Sequence, residues 1–372
     1  MRSILMSNRF LELRASGEYI DRTFFIPSLI KNRYVTLSRP RGLGSSVFCD
    51  MLEQYFLGMK ENFRGLAIER LETEWRKSPV LSIDLKFIPR DSDDLRRYLF
   101  RFVSDFAVSQ GIQLRSDTPT SALKEITSKL DGLAVIIKHA DYPLYMNYGN
   151  PDLENIDQAL AKFLFPLFNL KERVRFVFLS KCYPVLLCRD MFGEVLDGIV
   201  DISRMPRFAA VTGFTPAEAK RKYLSDAETL SANTNLSPES LFGLFYHQYG
   251  GYRFTPGKIR VVSPAAAEKA AVALAPVRAF ESDPLLDSVL DSLSGDVFGI
   301  DDFLQRPLSP EFALGPFYSF RPEIPSVLFA SGLLTIDSTH ESADLDEPEC
   351  MLRVTSEDAV RFLRGRGFRL FA

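Results

Sequence analysis

The chain has 372 residues, of which 46% are hydrophobic and 25% charged, and a formal net charge of −3. This composition is typical of an ordinary globular protein with two or three domains, and the charge gives no reason to expect bulk nucleic-acid binding. No apolar run approaches the length of a membrane span, and the segment 1–6 is too short for a signal peptide. The four cysteines and three histidines lack metal-ligand spacing, so we expect reduced thiols, no metal and a cytoplasmic protein.

Short apolar runs alternate with longer helical patterns over the first part of the chain. The predicted strands are 33–37, 79–85, 133–137 and 174–179. Helical spacing covers 92–110 and 121–130, with Thr118 as a cap before the second of these helices. This alternation predicts an α/β fold with a mostly parallel sheet.

The segment 38–46, Ser-Arg-Pro-Arg-Gly-Leu-Gly-Ser-Ser, lies between the first predicted strand and a helical pattern over 47–57. A strand, a glycine-containing loop and a helix form the context of a phosphate-binding loop. Gly42 and Gly44 allow the backbone to approach a phosphate closely, and the helix start offers free N–H groups. A working loop of this kind places a lysine before its Ser or Thr. Here that position holds Ser45, followed by Ser46.

Several motifs in order resemble those of the AAA-ATPase-like family, in which an ATPase module usually precedes a PD-(D/E)XK nuclease domain. The motifs are Tyr19 to Thr23, Leu37 to Ser46, Phe63 to Glu69, Gly213 to Thr215, Gly250 to Phe254 and Gly332 to Ile336. The resemblance covers nearly the whole chain and implies a P-loop NTPase core of AAA type. No nuclease spacing of acids and lysine is visible, so we expect a member without the nuclease domain.

The resemblance also implies two adjacent acids after the third strand, one for Mg²⁺ and one for the attacking water. This chain has Lys138 and His139 there, while Asp141 matches the family. A lysine at the metal position would repel the ion, because the ion's charge dominates such a site. The alternative is that Lys138 only extends from the strand end into water. Asp84, after the second strand, is either a structural carboxylate or a remnant of a metal site.

A third departure from the family follows the fourth strand, where the resemblance implies a Thr-Gly pair and a polar sensor of the γ-phosphate. Ser180 and Lys181 stand there instead. Since phosphoryl transfer relies on positioning and charge stabilisation, these changes together predict loss of hydrolysis.

The middle of the chain is predicted to be a helical lid. Thr215, Pro216 and Glu218 form a strong helix start, and a further helix is predicted over 264–274. Arg253, in an aromatic turn, is either a former nucleotide contact or a packing residue. We expect an AAA-like core at 1–208, the lid at 209–280 and a helical, winged-helix-like unit at 281–372.

The winged-helix-like unit is predicted from a helix over 326–333, wing strands at 334–336 and 351–354, and a helix over 356–364. DNA contact is one interpretation, but the wing is acidic and would repel phosphate. Its acids are Asp337, Glu341, Asp344, Asp346, Glu347 and Glu349. The basic residues lie beyond it, at Arg361, Arg364, Arg366 and Arg369. Apolar residues near the end either meet a protein partner or pack on the core, namely Phe362, Leu363, Phe368, Leu370 and Phe371.

Three functions remain open at this point. The first is a degenerate ATPase acting as a binding or regulatory module, with an unidentified protein partner and neither nucleic acid nor membrane. The second retains ATP or ADP weakly without hydrolysis, using Arg39 or Arg41, Gly42, Gly44, Ser45 and Ser46. The third is an active enzyme with rearranged groups, such as Lys138 replacing the loop lysine from across the site.

Overall fold

A computed structural model describes residues 8–186, 198–232, 234, 236–273, 277–295, 299–319, 321–341 and 348–370. Several residues singled out from the sequence lie outside these ranges, namely Cys188, Asp344, Asp346, Glu347 and Phe371. Within the described part of the chain, no helix is both long enough and apolar enough to cross a membrane.

A five-stranded parallel sheet forms the centre of the N-terminal half. Its strands are β1 (Tyr34–Ser38), β2 (Val80–Asp84), β3 (Leu133–Lys138), β4 (Val174–Lys181) and β6 (Ile199–Asp201), in the order β2-β3-β4-β1-β6. The α/β prediction and the four predicted strands are confirmed. Because the strands are parallel, the loops that follow them meet at one edge of the sheet.

Helices cover both faces of this sheet. In the N-terminal half they are α1 (Arg9–Ala15), α2 (Ile26–Leu29), α3 (Ser45–Phe56), α4 (Ile68–Leu71), α5 (Ser92–Ser109), α6 (Pro119–Lys129), α7 (Tyr142–Tyr145) and α8 (Leu153–Asn169). Strand β3 is buried along its length, with alternate residues entering two apolar clusters. Val135 and Ile137 pack with the residues of α5, α6 and α8, whereas Ala134 and Ile136 pack with those of α3. A strand buried on both faces has the continuous apolar sequence seen here.

The C-terminal half contains further helices and two small sheets. The helices are Pro216–Lys222, Leu224–Ala232, Pro238–Tyr249, Pro264–Ala273, Pro284–Gly295, Pro310–Leu314, Ile324–Ser331 and Glu357–Gly365. The short strands β5 (Val185–Leu186) and β7 (Phe317–Tyr318) are parallel, and β8 (Leu334–His340) and β9 (Glu349–Val354) are antiparallel. The helix, hairpin and last helix predicted near the C-terminus therefore occur, with strands longer than expected.

The predicted helix starts carry the expected caps. Thr118 caps α6 through the Ser121 amide, and Thr215 forms a reciprocal capping box with Glu218. Ser356 caps the last helix through the amide of Ala359. Each side-chain oxygen satisfies a backbone donor that the helix itself leaves unpaired.

The end of the chain packs on the main apolar cluster. Leu363 is fully buried there, and Phe362, Phe368 and Leu370 pack against the cluster. These side chains therefore follow the packing alternative and do not form a separate exposed apolar surface. The cluster runs from Leu43 in the loop to Leu363, so the C-terminal segment shares a core with the sheet.

Candidate functional site

The loop between β1 and α3 has the backbone geometry that the sequence predicted. Gly42 and Gly44 have φ values of +81° and +89°, in the left-handed region that favours glycine. The segment 263–265 closes over the loop, since the Ala265 amide donates to the Gly42 carbonyl at 3.1 Å and the Ser263 hydroxyl donates to the same oxygen at 3.2 Å. A Cβ added at Gly42 would lie 3.1 Å from the Ala265 Cβ, so the approach also depends on a small residue.

The start of α3 supplies the free backbone donors of the site. Gly44 is its N-cap and makes no side-chain cap hydrogen bond, and the helix then begins at Ser45 and Ser46. The amides of a first helical turn have no intrahelical acceptor and carry the positive end of the helix dipole. At the position where a working phosphate-binding loop has lysine, the Ser45 hydroxyl is buried and has no hydrogen-bond partner among the described residues.

The two loop arginines are held by other parts of the protein. Arg39 is buried, stacks on the Phe254 ring at 4.2 Å, and donates to the carbonyls of Ser203 and Phe208. Burial lowers the pKa of Arg39 to about 9. Arg41 donates to the Glu281 carbonyl at 2.6 Å and lies 3.1 Å from the Asp283 carboxylate. Both guanidinium groups therefore have partners that a phosphate would have to replace or share.

Lys138 forms a buried ion pair with Asp50 of α3, and Glu53 of the same helix lies 3.9 Å from the Lys138 ammonium. Burial alone would lower the pKa of Lys138, but the carboxylate of Asp50 outweighs it and the pKa is raised. The second Asp50 oxygen accepts the Arg9 amide at 2.8 Å. Lys138 thus points into the layer between β3 and α3 and does not extend into water.

His139 connects three elements of the site. Its Nε2 lies 3.2 Å from the Ser46 hydroxyl, and its Nδ1 lies 2.7 Å from Oδ1 of Asp84. His139 has a φ of +54°, a conformation unusual for a residue with a side chain. Burial alone would raise the pKa of Asp84, but the hydrogen bonds that it accepts from His139 and from the Lys86 amide bring the pKa below its ordinary value.

Asp141, an acid that the resemblance matches to the family, organises the backbone after β4. Its carboxylate accepts the amides of Cys182 at 3.0 Å and Tyr183 at 2.7 Å. Burial outweighs these hydrogen bonds and raises the pKa of Asp141 to about 6. Ser180 is buried and lines the loop cavity, while the Lys181 ammonium donates to the Val185 carbonyl at 3.2 Å.

Arg253 lies away from the loop. Its guanidinium donates to the carbonyls of Pro256 at 2.5 Å, Gly257 at 2.7 Å and Asp337 at 2.6 Å. Its backbone amide donates to the Thr335 hydroxyl in β8. Arg253 therefore ties the aromatic turn to the C-terminal hairpin, which is the packing alternative, and it does not line the loop cavity.

Two adjoining cavities flank the loop. One, of about 420 Å³, is bordered by the loop, Ser46 and His139, and we call it the loop cavity. The other, of about 450 Å³, has an aromatic wall of Tyr19, Phe214 and Tyr223, and we call it the aromatic cavity. The two share Leu43, Gly44, Val47, Pro264 and Glu268. Each volume lies within the range of small-ligand sites.

Sequence reasoning did not identify the ion pairs of Asp50 with Lys138 and of Arg22 with Glu218. Asp50 is a lone carboxylate on the buried face of α3, and that exception to the apolar pattern was the available signal. Arg22 and Glu218 form a bidentate ion pair with N–O distances of 2.6 and 2.7 Å, which joins the N-terminal segment to the lid.

Within the described residues, no group of three or more His, Cys, Asp and Glu side chains is placed to hold a metal ion.

The parallel sheet and the glycine loop at the start of a helix have the arrangement of the P-loop NTPase fold. Residues 7–188 match the sequence model of the AAA-ATPase-like family, described as predicted AAA-ATPases. Over these residues the chain is similar to that family.

One curated relative is an uncharacterized protein in the vnfD 5′ region of Azotobacter chroococcum mcd 1. It is 26% identical over 219 residues, which are 56% of this chain and 42% of the relative, so the match spans less than half of the relative's length. Two solved structures are similar in outline, a RuvB mutant of Thermogota maritima and Drosophila ORC bound to AT-rich DNA and Cdc6. Their identities are 11% and 10%, and their TM-scores of 0.32 and 0.26 are too low to say anything about function. The alignment with the RuvB mutant covers 97% of this chain and 92% of that protein. The alignment with the ORC structure covers 96% of this chain and 93% of the matched chain.

Proposed function

We propose that this protein is a nucleotide-binding module of the AAA-ATPase-like fold that does not carry out Mg²⁺-dependent ATP hydrolysis. The observation that carries the proposal is the combination of an open loop cavity with the ion pair of Lys138 and Asp50. The cavity leaves room for phosphates at the loop. The ion pair occupies the place where the family has its metal-binding acid.

The adjoining cavities suggest how a nucleotide would lie. Its phosphates would accept hydrogen bonds from the amides at Gly44, Ser45 and Ser46, which need no metal. Its base would enter the aromatic cavity, where Phe214 and Tyr223 offer flat apolar surfaces. Because Arg39 and Arg41 already have partners, the affinity would be weak.

Hydrolysis lacks the charges that phosphoryl transfer requires. The loop lysine is replaced by Ser45, and the metal position by Lys138, whose ammonium is held by Asp50. Lys138 does not border the loop cavity, so it cannot act for the loop lysine from across the site. A cation at the metal position, neutralised from within the core, favours binding over turnover.

Without turnover, the bound nucleotide would act as a ligand that stabilises one arrangement of loop and lid. Ser263 and Ala265 of the lid contact Gly42 directly, so occupancy of the loop would be transmitted to the lid. A protein partner that recognises this arrangement fits a regulatory role. Nucleic acid is not part of the proposal, because Arg361 pairs with Glu357, and Arg366 with Asp287.

Equilibrium binding of a fluorescent ATP analogue to two charge variants tests the proposal. Ser46→Asp adds a carboxylate to the first turn of α3, where it is compatible with the helix dipole but repels phosphate. The control Ser121→Asp adds the same charge to the exposed first turn of α6, outside both cavities. We expect binding in EDTA that Ser46→Asp abolishes and Ser121→Asp preserves. Equal binding by the two variants, or none by the wild type, would refute nucleotide binding at the loop.

A further inference from the structure

Ser46, His139 and Asp84 form a continuous hydrogen-bonded chain at the edge of the loop cavity. The Ser46 hydroxyl is 3.2 Å from His139 Nε2, and Nδ1 of the same ring is 2.7 Å from Asp84. Ser46 and His139 both border the cavity. A nucleophile within reach of a base that a third group orients is the arrangement that activates serine in unrelated enzymes.

The hydrogen-bonding capacities determine the direction of this chain. An ionised carboxylate only accepts hydrogen bonds, so Nδ1 of His139 must carry the proton that faces Asp84. Nε2 of the neutral ring is then an acceptor, and the Ser46 hydroxyl donates to it. Asp84 is itself positioned by the Lys86 amide, which donates to Oδ1 at 2.9 Å. The ring is thus held in the tautomer that can remove the hydroxyl proton.

The environment of the chain suits a reacting group. The side chains of His139 and Asp84 are 31% and 27% exposed, so the base is accessible from the cavity. Lys138, next to His139 in the chain, directs its ammonium to the Asp50 carboxylate. His139 follows the last residue of β3 and has a positive φ, and its ring lies against Ser46.

We propose that Ser46 is a nucleophile that cleaves small carboxylic esters in the loop cavity. Acyl transfer develops one negative charge on one oxygen, which backbone amides at a helix start can stabilise. Phosphoryl transfer spreads charge over three oxygens and depends on metal and lysine, which this loop lacks. The available donors therefore fit an acyl group. Tyr142, Tyr145 and Phe280 give the cavity an apolar wall for that group.

The reaction balances with water as the only co-reactant. Ser46 Oγ attacks the carbonyl carbon, its proton passes to His139 Nε2, and the carbonyl oxygen becomes an oxyanion at the loop amides. The bond to the leaving alkoxide breaks, and Nε2 gives it the proton to release an alcohol. Water then attacks the acyl-serine while its proton moves to Nε2. The bond between the acyl carbon and Ser46 Oγ breaks, Nε2 returns the proton to Oγ, and the carboxylic acid leaves. Asp84 holds the imidazolium in both steps and stays ionised.

Labelling with a fluorophosphonate, followed by peptide mass spectrometry, tests the nucleophile directly. Ser46 Oγ would displace fluoride and leave a phosphonate on the peptide that contains Ser46. Hydrolysis of p-nitrophenyl acetate by the same samples reports turnover. Removal of the base by His139→Asn should slow both reactions about a hundredfold or more. Asparagine is the substitute of choice because it tolerates a positive φ.

Two further variants keep the test decisive if His139→Asn does not fold. Ser46→Ala should remove the label completely, and Asp84→Asn should lower the labelling rate through the wrong tautomer while leaving Ser46 in place. Ser121→Ala, which removes an exposed hydroxyl of α6, should label like the wild type. No adduct on Ser46 in the folded wild type, or equal labelling in Asp84→Asn, would overturn the proposal. Failure here leaves ATP binding in EDTA unaffected, so the two proposals fail separately.

Discussion

Lys138 and Asp50 form an ion pair between the end of β3 and the middle of α3, with side chains that are only 9% and 4% exposed. Glu53 and the Arg9 amide complete the surroundings of the pair. The ammonium of Lys138 is therefore balanced by a carboxylate from α3, the helix that follows the glycine loop.

Removing one member of this pair should destabilise the protein strongly. Lys138→Met leaves the Asp50 carboxylate buried without its partner, at a cost of about 3 kcal/mol or more. The double variant with Lys138→Met and Asp50→Leu should lose less unfolding free energy than the two single variants lose together, because no uncompensated charge remains. Urea unfolding of the four proteins measures the coupling. Additive effects would show that the two groups do not interact.

The ion pair also predicts an alkaline limit to stability. The pKa of Lys138 is raised above its ordinary value of 10.5, so the stabilising contribution is present below that pH and is lost as pH rises through the folded-state pKa. The stability difference between the wild type and Lys138→Met should therefore be constant near neutral pH and decrease above pH 10.5. A difference that is unchanged through this range would contradict the assignment.

Introducing the residues that the family resemblance implies should not produce hydrolysis. Ser45→Lys, Lys138→Asp and His139→Glu together would place a new carboxylate against Asp50 and Glu53. Like charges at this distance are destabilising in a buried layer, so the triple variant should unfold more readily than the wild type. Adding Asp50→Leu should recover part of that stability. Chemical denaturation measures the stability of each variant, and phosphate release measures hydrolysis. ATPase activity of the triple variant, without Asp50→Leu, would contradict the account.

Arg41 should bind anions better when it is released from Asp283. Asp283→Asn removes the carboxylate that lies 3.1 Å from the guanidinium, so affinity for ATP in EDTA should rise several-fold, a change of roughly 1 kcal/mol. Stability should fall because Asp283 also accepts the Tyr183 hydroxyl. Asp287→Asn on the following helix, whose carboxylate faces Arg366, is the control and should leave affinity unchanged. Unchanged affinity in Asp283→Asn would remove Arg41 from the phosphate site.

The pair of Arg22 and Glu218 predicts acid sensitivity at the lid. Burial opposes the charge of Glu218, but Arg22 and the Thr215 amide lower its pKa below the ordinary value of 4.5. Its contribution is therefore present above that value and is lost as pH falls through the folded-state pKa. Glu218→Gln keeps the capping geometry and should cost about 2 kcal/mol at pH 7, with the difference shrinking below pH 4.5.

Glu239→Gln is the matched control for this variant. Glu239 pairs with Lys220 at 3.7 Å on the lid surface, and its removal should cost less than about 1 kcal/mol at any pH. Thermal or urea unfolding between pH 3 and pH 7 separates the two variants. Equal effects would show that the lid pair is no stronger than a surface ion pair.

The elements that the sequence predicted well are those with a local cause. The strand at 133–137 is a continuous apolar run, and the helix after Thr215 has its cap and proline in sequence. The site was less predictable because its contacts depend on strand order. Asp84 contacts His139 because β2 and β3 are neighbouring strands. Asp50 contacts Lys138 because α3 packs against β3. Periodicity contains no information on either neighbour.

The contacts of the two loop arginines could not be predicted from the sequence either. Their position beside Gly42 suggested phosphate contacts, and the sequence pattern could not indicate that the Ser203 and Phe208 carbonyls would engage Arg39. A long cationic side chain near a glycine loop can donate hydrogen bonds to many different acceptors. The segment that supplies them lies more than 160 residues away in the chain.

Calorimetric titration of the full chain with ATP, in excess Mg²⁺ and in EDTA, is the most direct test of nucleotide binding without metal-dependent hydrolysis. Phosphate release should be measured on the same samples. We expect weak binding, with dissociation constants in Mg²⁺ and in EDTA that agree within about twofold. We also expect no phosphate release above that of the Ser46→Asp variant. Binding that is tighter by a factor of ten or more in Mg²⁺, accompanied by phosphate release that Ser46→Asp abolishes, would contradict the account.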